Sequence, residues 1–252
     1  MEIAVEVCDV TVAYRSYKER PTTLKESLIK AAKERRLRHY STFNALEGVS
    51  FNVRRGEVFA IIGSNGAGKS TLLRVIAGVL PPTAGHVTVN GTVDSLIQLG
   101  AGFDPELNAI ENIYLNGSLH RKTKEQIKSR VPKILEFAEL EEFATTPIKY
   151  YSSGMYARLG FSVAVDRDPD ILVVDEVLGV GDERFQNKCR KIFDNLLAQR
   201  KTIIIVSHSL SMVENTAHRV GLISRGKMVY LGDPVSAIEK YRDEQYQTAL
   251  SG

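Results

Sequence analysis

Apolar and polar residues alternate over positions 2–12, with Ile3, Val5 and Val7 on one side, which is the period of a half-buried strand. Positions 45–53 and the unbroken apolar run 58–62 predict two more strands. Positions 72–77, Leu-Leu-Arg-Val-Ile-Ala, then switch to helical spacing, and Gly78 and Pro81-Pro82 stop that helix. Alternation returns at 86–89, where the turn pair Asn90-Gly91 and positions 92–99 predict a hairpin followed by a further strand. From Pro105 the period is helical: around 110–115, over 124–143 with Pro132 expected to kink or divide the element, and from Met155 to Val165. Strands resume at 171–174 and 202–206 with a helix over 185–199 between them, a βαβ alternation that requires a parallel sheet. Two short strands over 219–231 turn at Arg225-Gly226-Lys227, and Asp233-Pro234 caps a last helix to about 242.

The fold class predicted is α/β in one domain over 1–252. It has a mainly parallel core sheet, an antiparallel β part, an all-helical insert over about 104–165 and a C-terminal helix within 232–252. Residues 15–42 differ in kind. Between Arg15 and Tyr40 lie nine Lys or Arg against three Glu, an excess larger than the +3 of the whole chain. Thr23-Leu-Lys-Glu26 behind Pro21 has capping-box spacing, and Leu24, Leu28, Ala31 and Ala32 recur at helical intervals, which predicts a short basic amphipathic helix inserted between the first two strands. Two readings of it stand side by side: a solvated surface helix, or a contact for anionic headgroups or a charged substrate at a membrane surface.

With 43% apolar residues the chain can bury a core, and +3 is too small a charge to call for nucleic acid. Cys8 and Cys189 have no CxxC spacing or His neighbours and read as reduced, packed thiols. The N-terminus lacks a secretory pattern, and no apolar run approaches the twenty or so residues that span a bilayer. If the protein works at a membrane, a partner must cross it.

The chemistry concentrates in one loop. Gly63, Ser64, Asn65, Gly66, Ala67, Gly68, Lys69, Ser70 and Thr71 follow a predicted strand and open a predicted helix, with the Walker A spacing of a phosphate cradle. Glycines let successive N–H groups point at an anion, and the helix N-terminus adds partial positive charge. Lys69 then reaches the β- and γ-phosphates, and the Ser70 hydroxyl binds Mg²⁺. Downstream, an apolar strand ends in Asp175-Glu176. Asp175 fits a Walker B acid that holds Mg²⁺, and Glu176 is placed to orient or deprotonate an attacking water. His208 ends another strand. The helix start Tyr150-Tyr151-Ser152-Ser153-Gly154 is either a plain N-cap or a second anion site.

The order Tyr14, Gly63 to Thr71, Gln98, Tyr151-Ser152-Ser153-Gly154-Met155, Asp175-Glu176, Asp182 and His208 resembles the ATP-binding subunit of an ABC transporter over essentially the whole chain. Leu99-Gly-Ala-Gly-Phe-Asp-Pro-Glu106, Glu111-Asn-Ile-Tyr114 and the stretch from Asp175 to Asp182 resemble the polysaccharide exporters for O-antigen and teichoic acid. The resemblance implies ATP and Mg²⁺ as cofactors, with Tyr14 stacking on adenine. It implies a homodimer in which Ser152, Ser153 and Gly154 of one copy meet the γ-phosphate bound by the other, with Asp182 in the D-loop at that interface. His208 becomes the γ-phosphate switch, and Gln98, or its neighbour Leu99, the Q-loop contact to Mg²⁺ and water. Ser153 and Met155 depart from the commonest ABC signature in the way these exporters do. A transmembrane permease, a lipid-linked polysaccharide substrate and a peripheral place on the cytoplasmic face of the plasma membrane complete the expectation.

Some members continue into a carbohydrate-binding β-domain; Gly252 follows the last predicted helix closely, as in a member without that domain or a piece of one with it. Other readings are an ABC ATPase for a different export substrate, a soluble ABC ATPase acting on DNA or ribosomes, and a P-loop kinase of small metabolites. Such soluble ATPases carry two nucleotide units or a long coiled coil, and a kinase has no use for the helix end at 152–154.

Overall fold

The computed structural model describes residues 2–17, 40–95, 100–175, 181–207 and 209–250. The predicted basic helix, Thr23 to Arg38, lies outside them. An antiparallel sheet has β1 (Ile3–Tyr17) at its centre between β2 (Tyr40–Arg54) and β4 (Ala84–Val89). The core sheet has the order β5 (Val93–Ser95), β6 (Ile171–Asp175), β7 (Thr202–Val206), β3 (Val58–Ile62), β8 (Arg219–Ser224), β9 (Lys227–Gly232), parallel throughout except for β9 at the edge. Helices α1 (Lys69–Ile76), α5 (Glu183–Ala198), α6 (Leu210–Thr216) and α7 (Pro234–Leu250) cover it. The described elements between β5 and β6 are all helical: α2 (Ala109–Leu119), α3 (Lys124–Ala138), the 3-10 turns Glu141–Phe143 and Ile148–Tyr150, and α4 (Ser153–Val165).

Strand alternation sorts the core. Phe59 and Ile61 of β3 face the antiparallel sheet and α1, where they pack with Val5, Val7, Leu46, Leu72 and Leu73. Ala60 and Ile62, one position off, face α6 and α7 through Val213, Ala237 and Ile238. Both faces being covered, all five residues of β3 and of β7 are buried, which is why these strands read as unbroken apolar runs. On the opposite face of β6 and β7 from Ile171, Val173, Ile204 and Val206, the residues Leu172, Val174, Ile203 and Ile205 pack on Phe161, Phe185 and Phe193 of α4 and α5.

The structure corrects three expectations. Residues 86–89 and 93–95 form no hairpin: β4 pairs with β1 and β5 with β6, so Asn90-Gly91 carries the chain from one sheet to the other. Asn90 is tied to the first strand through its N–H to Ala4 O (2.8 Å) and its Nδ2 to Ile3 O (2.9 Å). Two residues on, Asp170 captures Thr92, accepting its N–H and its hydroxyl at 2.8 Å each; the backbone N–H holds that carboxyl below its usual range. Pro132 does not divide α3, which runs through it and stops at Glu139 instead. Residues 15–17 and 40–42, read as ends of the basic insertion, continue the β1–β2 ladder as far as Tyr17 opposite Tyr40. These residues do not alternate apolar with polar, so hydropathy gives no sign of strand there, whereas the backbone ladder needs no such pattern. The short α6 is a further element that the periodicity does not predict; Ser209, which accepts the Met212 N–H at 3.4 Å, is its N-cap.

Cys189 lies fully buried in α5 among Phe161, Phe185 and Phe193, and burial pushes its thiol up to about 12. The thiolate is the nucleophile. The native protein treated with iodoacetamide at pH 8 should therefore retain an unmodified Cys189 by peptide mass spectrometry and lose it only after denaturation.

Candidate functional site

Three strand ends meet on one edge of the core sheet. Ile61 is level with Val206, and Val206 with Asp175, so the chain leaves the sheet on the same side after β3, β6 and β7. Open α/β sheets bind ligands outside the carboxyl ends of such strands. Because β7 lies between β3 and β6, Asp175 stands two strand spacings, about 10 Å, from β3. Gln98, Glu176 and His208 lie outside the described residues, as does the side chain of Asp175. Their neighbours in the chain, Ser95 at the end of β5, Asp175 and Ser207, belong to this edge.

The loop between β3 and α1 is shaped by what surrounds it. Gly63 has φ +151° and Gly68 φ +110°, and a Cβ on either would collide with a backbone carbonyl, that of Ile223 for Gly63 and that of Ala45 for Gly68. The turn after β8 braces the same loop: Gly226 N–H donates to Ala67 O (2.9 Å), and Glu47 N–H donates to Gly226 O (2.8 Å). Lys69, 6% exposed, folds its ammonium back to donate to the carbonyls of Gly63 (2.7 Å) and Ser64 (2.9 Å). Helix α1 begins at Lys69 with Gly68 as a cap that offers no side-chain acceptor, so the N–H groups of its first turn face outward for an anion. Asn65, Gly66 and Ser70 are exposed, and nothing stands within 4 Å of a Cβ built on Gly66. A buried ammonium, an uncapped helix start and a backbone held open by two carbonyls fit a polyphosphate.

Tyr14, half-buried on β1, lies opposite Phe43 of β2, with the ring centroids 5.6 Å apart and the planes tilted by 30°. Phe43 is 57% exposed and precedes by two residues the Ala45 carbonyl that walls the cradle. The sequence reading missed Phe43, because only strand register pairs it with Tyr14.

Ser152 is the N-cap of α4, its Oγ accepting the Met155 N–H at 3.2 Å. Ser153 is exposed, and a Cβ on Gly154 would meet nothing closer than Ser152 Oγ at 3.9 Å, so this helix start is open to a ligand. It packs with α2 and α3 through Tyr151, Met155 and Tyr156, in a cluster separate from the one that holds α1. Burial raises the Tyr151 phenol, which donates to Phe143 O at 2.8 Å. Asp182 caps α5, accepting the Phe185 N–H at 2.9 Å.

Residues 100–108 are tied to α4 and α2. Tyr156 donates to Gly100 O (3.3 Å), and Phe103 meets the Tyr156 ring edge-on at 5.8 Å. Asn112, fully buried, accepts the Asp104 N–H (2.7 Å) and donates to the carbonyls of Asp104, Leu107 and Asn108. Asn108 and Glu111 form a reciprocal capping box at the start of α2. The Glu111-Asn112 pair is therefore the scaffold of this loop.

A family model described as ABC transporter matches residues 46–179. The chain is 43% identical over 242 residues to an O-antigen export system ATP-binding protein, RfbB, of Klebsiella pneumoniae, covering 96% of this chain and 98% of that protein. It is 40% identical over 242 residues to a teichoic acids export ATP-binding protein, TagH, of Bacillus cereus, covering 96% of this chain and 43% of that one. Among solved structures, a dimeric post-hydrolysis state of the ATP-binding cassette MJ0796, bound to ADP and Pi, superimposes with a TM-score of 0.69 at 23% identity, over 91% of this chain and 98% of that one. That likeness is one of fold.

The two glycines of the cradle should respond differently to a methyl group. Gly66→Ala, with φ +77° and open space around it, should cost about 1 kcal/mol of stability in chemical denaturation. Gly68→Ala should cost several-fold more and abolish nucleotide retention, because the Ala45 carbonyl cannot yield without moving β2.

Proposed function

The chain belongs to the ABC transporter family, and we propose that it is the ATP-hydrolysing subunit of an exporter that moves a lipid-linked polysaccharide, of the O-antigen or teichoic-acid type, across the cytoplasmic membrane through a separate membrane-spanning subunit. The observation that carries this reading is the 43% identity over nearly the full length of both chains to an O-antigen export ATP-binding protein, joined to a loop whose residues fit a polyphosphate. Among the described residues no helix is long and apolar enough to cross a membrane. In this reading the protein sits peripherally at the cytoplasmic face, beside its permease.

MgATP, when bound, supplies the γ-phosphoryl group and the charge that the site must neutralise. The loop N–H groups and Lys69 hold the phosphates, Ser70 and Asp175 supply oxygen ligands for Mg²⁺ with Gln98 beside them, and Tyr14 stacks on the base. Glu176 orients and deprotonates the water, and His208 contacts the γ-phosphate. Ser152, Ser153 and Gly154 complete the site of a second copy. Their helix start is open and packs apart from their own cradle, which is what a group acting across an interface needs. Closing of two copies on two nucleotides, then opening after hydrolysis, drives the permease. The basic stretch from Thr23 to Arg38 contacts the membrane surface near the charged head of the lipid carrier.

Glu176→Gln should leave ATP binding intact and trap a dimer on size-exclusion chromatography; a protein that stays monomeric with ATP argues against the sandwich. Lys69→Ala should weaken ATP binding itself, read by titration calorimetry, since loss of a charge-assisted contact to phosphate costs about 1.5–3 kcal/mol. Neutralising Lys33, Arg35, Arg36 and Arg38 together should impair polysaccharide export in cells more than basal ATPase, and an equal loss of both would rule out the membrane role of that stretch.

A further inference from the structure

Helix α3 ends on a residue its backbone does not favour. Glu139 is the C-cap of α3 with φ +56°, in the left-handed region that a side chain bearing a Cβ enters at a cost and where glycine is the usual occupant. Its carboxylate nevertheless reaches cations on two other helices: Lys188 Nζ of α5 at 2.6 Å, Arg158 Nη1 of α4 at 3.3 Å and Arg184 Nε of α5 at 3.7 Å. Lys188 also donates to Phe137 O at 3.5 Å and lies 5.7 Å from the centre of the Phe137 ring. Chiefly through the Lys188 hydrogen bond, the Glu139 carboxyl is held below its usual range. Beneath these pairs Phe137, Phe161 and Phe185, one from each of α3, α4 and α5, pack with centroids 5.5–6.2 Å apart.

These contacts bear on function through what the two helices carry. Helix α4 starts at the open end formed by Ser152, Ser153 and Gly154, and α5 is capped by Asp182. The stem of Arg158 lies against the residue just before that cap: a Cβ on Gly181 would stand 3.4 Å from Arg158 Cγ. Partly exposed ion pairs contribute little to stability, and Arg184 is 81% exposed, so the network does not explain on stability grounds why a strained position carries a glutamate.

We propose that Glu139 is a positioning residue for ATP hydrolysis: by bridging Arg158 and Lys188 it holds the helix end at 152–154 in fixed register with Asp182, so that the two elements facing the second copy's nucleotide close as one unit. This rests on the sandwich reading given above. Loss of the carboxylate leaves each protomer folded and its own cradle intact but lets the two elements arrive out of register, which lowers turnover and not nucleotide affinity.

Glu139→Gly is the informative substitution, because glycine suits the left-handed backbone while removing the carboxylate. The expected protein melts within about 3 °C of the wild type, keeps its apparent KM for ATP within about twofold and loses about tenfold in kcat. Glu139→Lys combined with Lys188→Glu should recover part of the kcat lost by Glu139→Lys alone. A Glu139→Gly protein with wild-type kcat overturns the proposal, as does one whose KM and kcat deteriorate in parallel with its stability. Should the glycine variant melt far below the wild type, Glu139→Gln, which keeps the shape without the charge, reads the same split between KM and kcat. ATP-driven dimerisation in a Glu176→Gln background separates the premise from the proposal. A background protein that stays monomeric overturns the sandwich and the proposal with it, whereas one that dimerises while Glu139→Gly keeps full kcat rejects the role of Glu139 alone.

Discussion

The carbonyls of Ile223 and Ala45 leave no room for a Cβ at Gly63 and Gly68, and the phosphate loop takes its shape from lying between them. Ile223 belongs to the core sheet and Ala45 to the antiparallel sheet, so the loop is wedged where the two sheets come together. Glycine supplies both the unusual φ and the missing volume. The turn at Gly226 bonds to the loop on one side and to β2 on the other, closing the frame. With the backbone fixed in this way, the Lys69 ammonium can be buried, because two loop carbonyls accept from it. A cation held so, next to an uncapped helix start, concentrates positive charge at the loop.

The helical part is built on another principle. Its own core, from Ala109 and Ile113 through Ile134, Leu140 and Leu159, is separate from the clusters under the two sheets. Helix α4 joins it to the core sheet, where Phe161 and Ala164 pack with Leu172, Val174, Ile203 and Ile205. Further ties are the Phe137–Phe161–Phe185 packing, the Glu139 ion pairs, and the pair in which Arg167 Nη1 donates to Asp94 Oδ1 at 2.6 Å, joining the residue that follows α4 by two positions to β5. The ties that exist sit beside the elements that the proposed mechanism asks to move.

Polar side chains do much of the local shaping. Asn112 makes four hydrogen bonds from a fully buried position and thereby sets the path of residues 104–108, while the Asn108–Glu111 box starts α2. Tyr156 of α4 holds Gly100 and Phe103. These contacts tie α4 to residues 100–103, so the helix start at 152–154 and that stretch share one support.

The sequence by itself determined the elements whose neighbours are apolar on every side or whose chemistry is local. The runs at 58–62 and 202–206 are strands because both faces are covered, and the cradle is legible because Gly63, Gly68, Lys69 and Ser70 act within a single turn of chain. The tertiary structure decided what depends on a distant partner. Asn90-Gly91 has the form of a hairpin turn but crosses between sheets, because Asp170 holds Thr92 and Ile3 holds Asn90. The β1–β2 ribbon outruns its hydrophobic pattern because backbone pairing needs no buried face. Phe43 comes to lie beside Tyr14 through register alone. Glu139 falls inside the helix that periodicity predicts over 124–143, and only the fold ends the helix there and sets its carboxylate among three cations, in a conformation that no periodicity encodes.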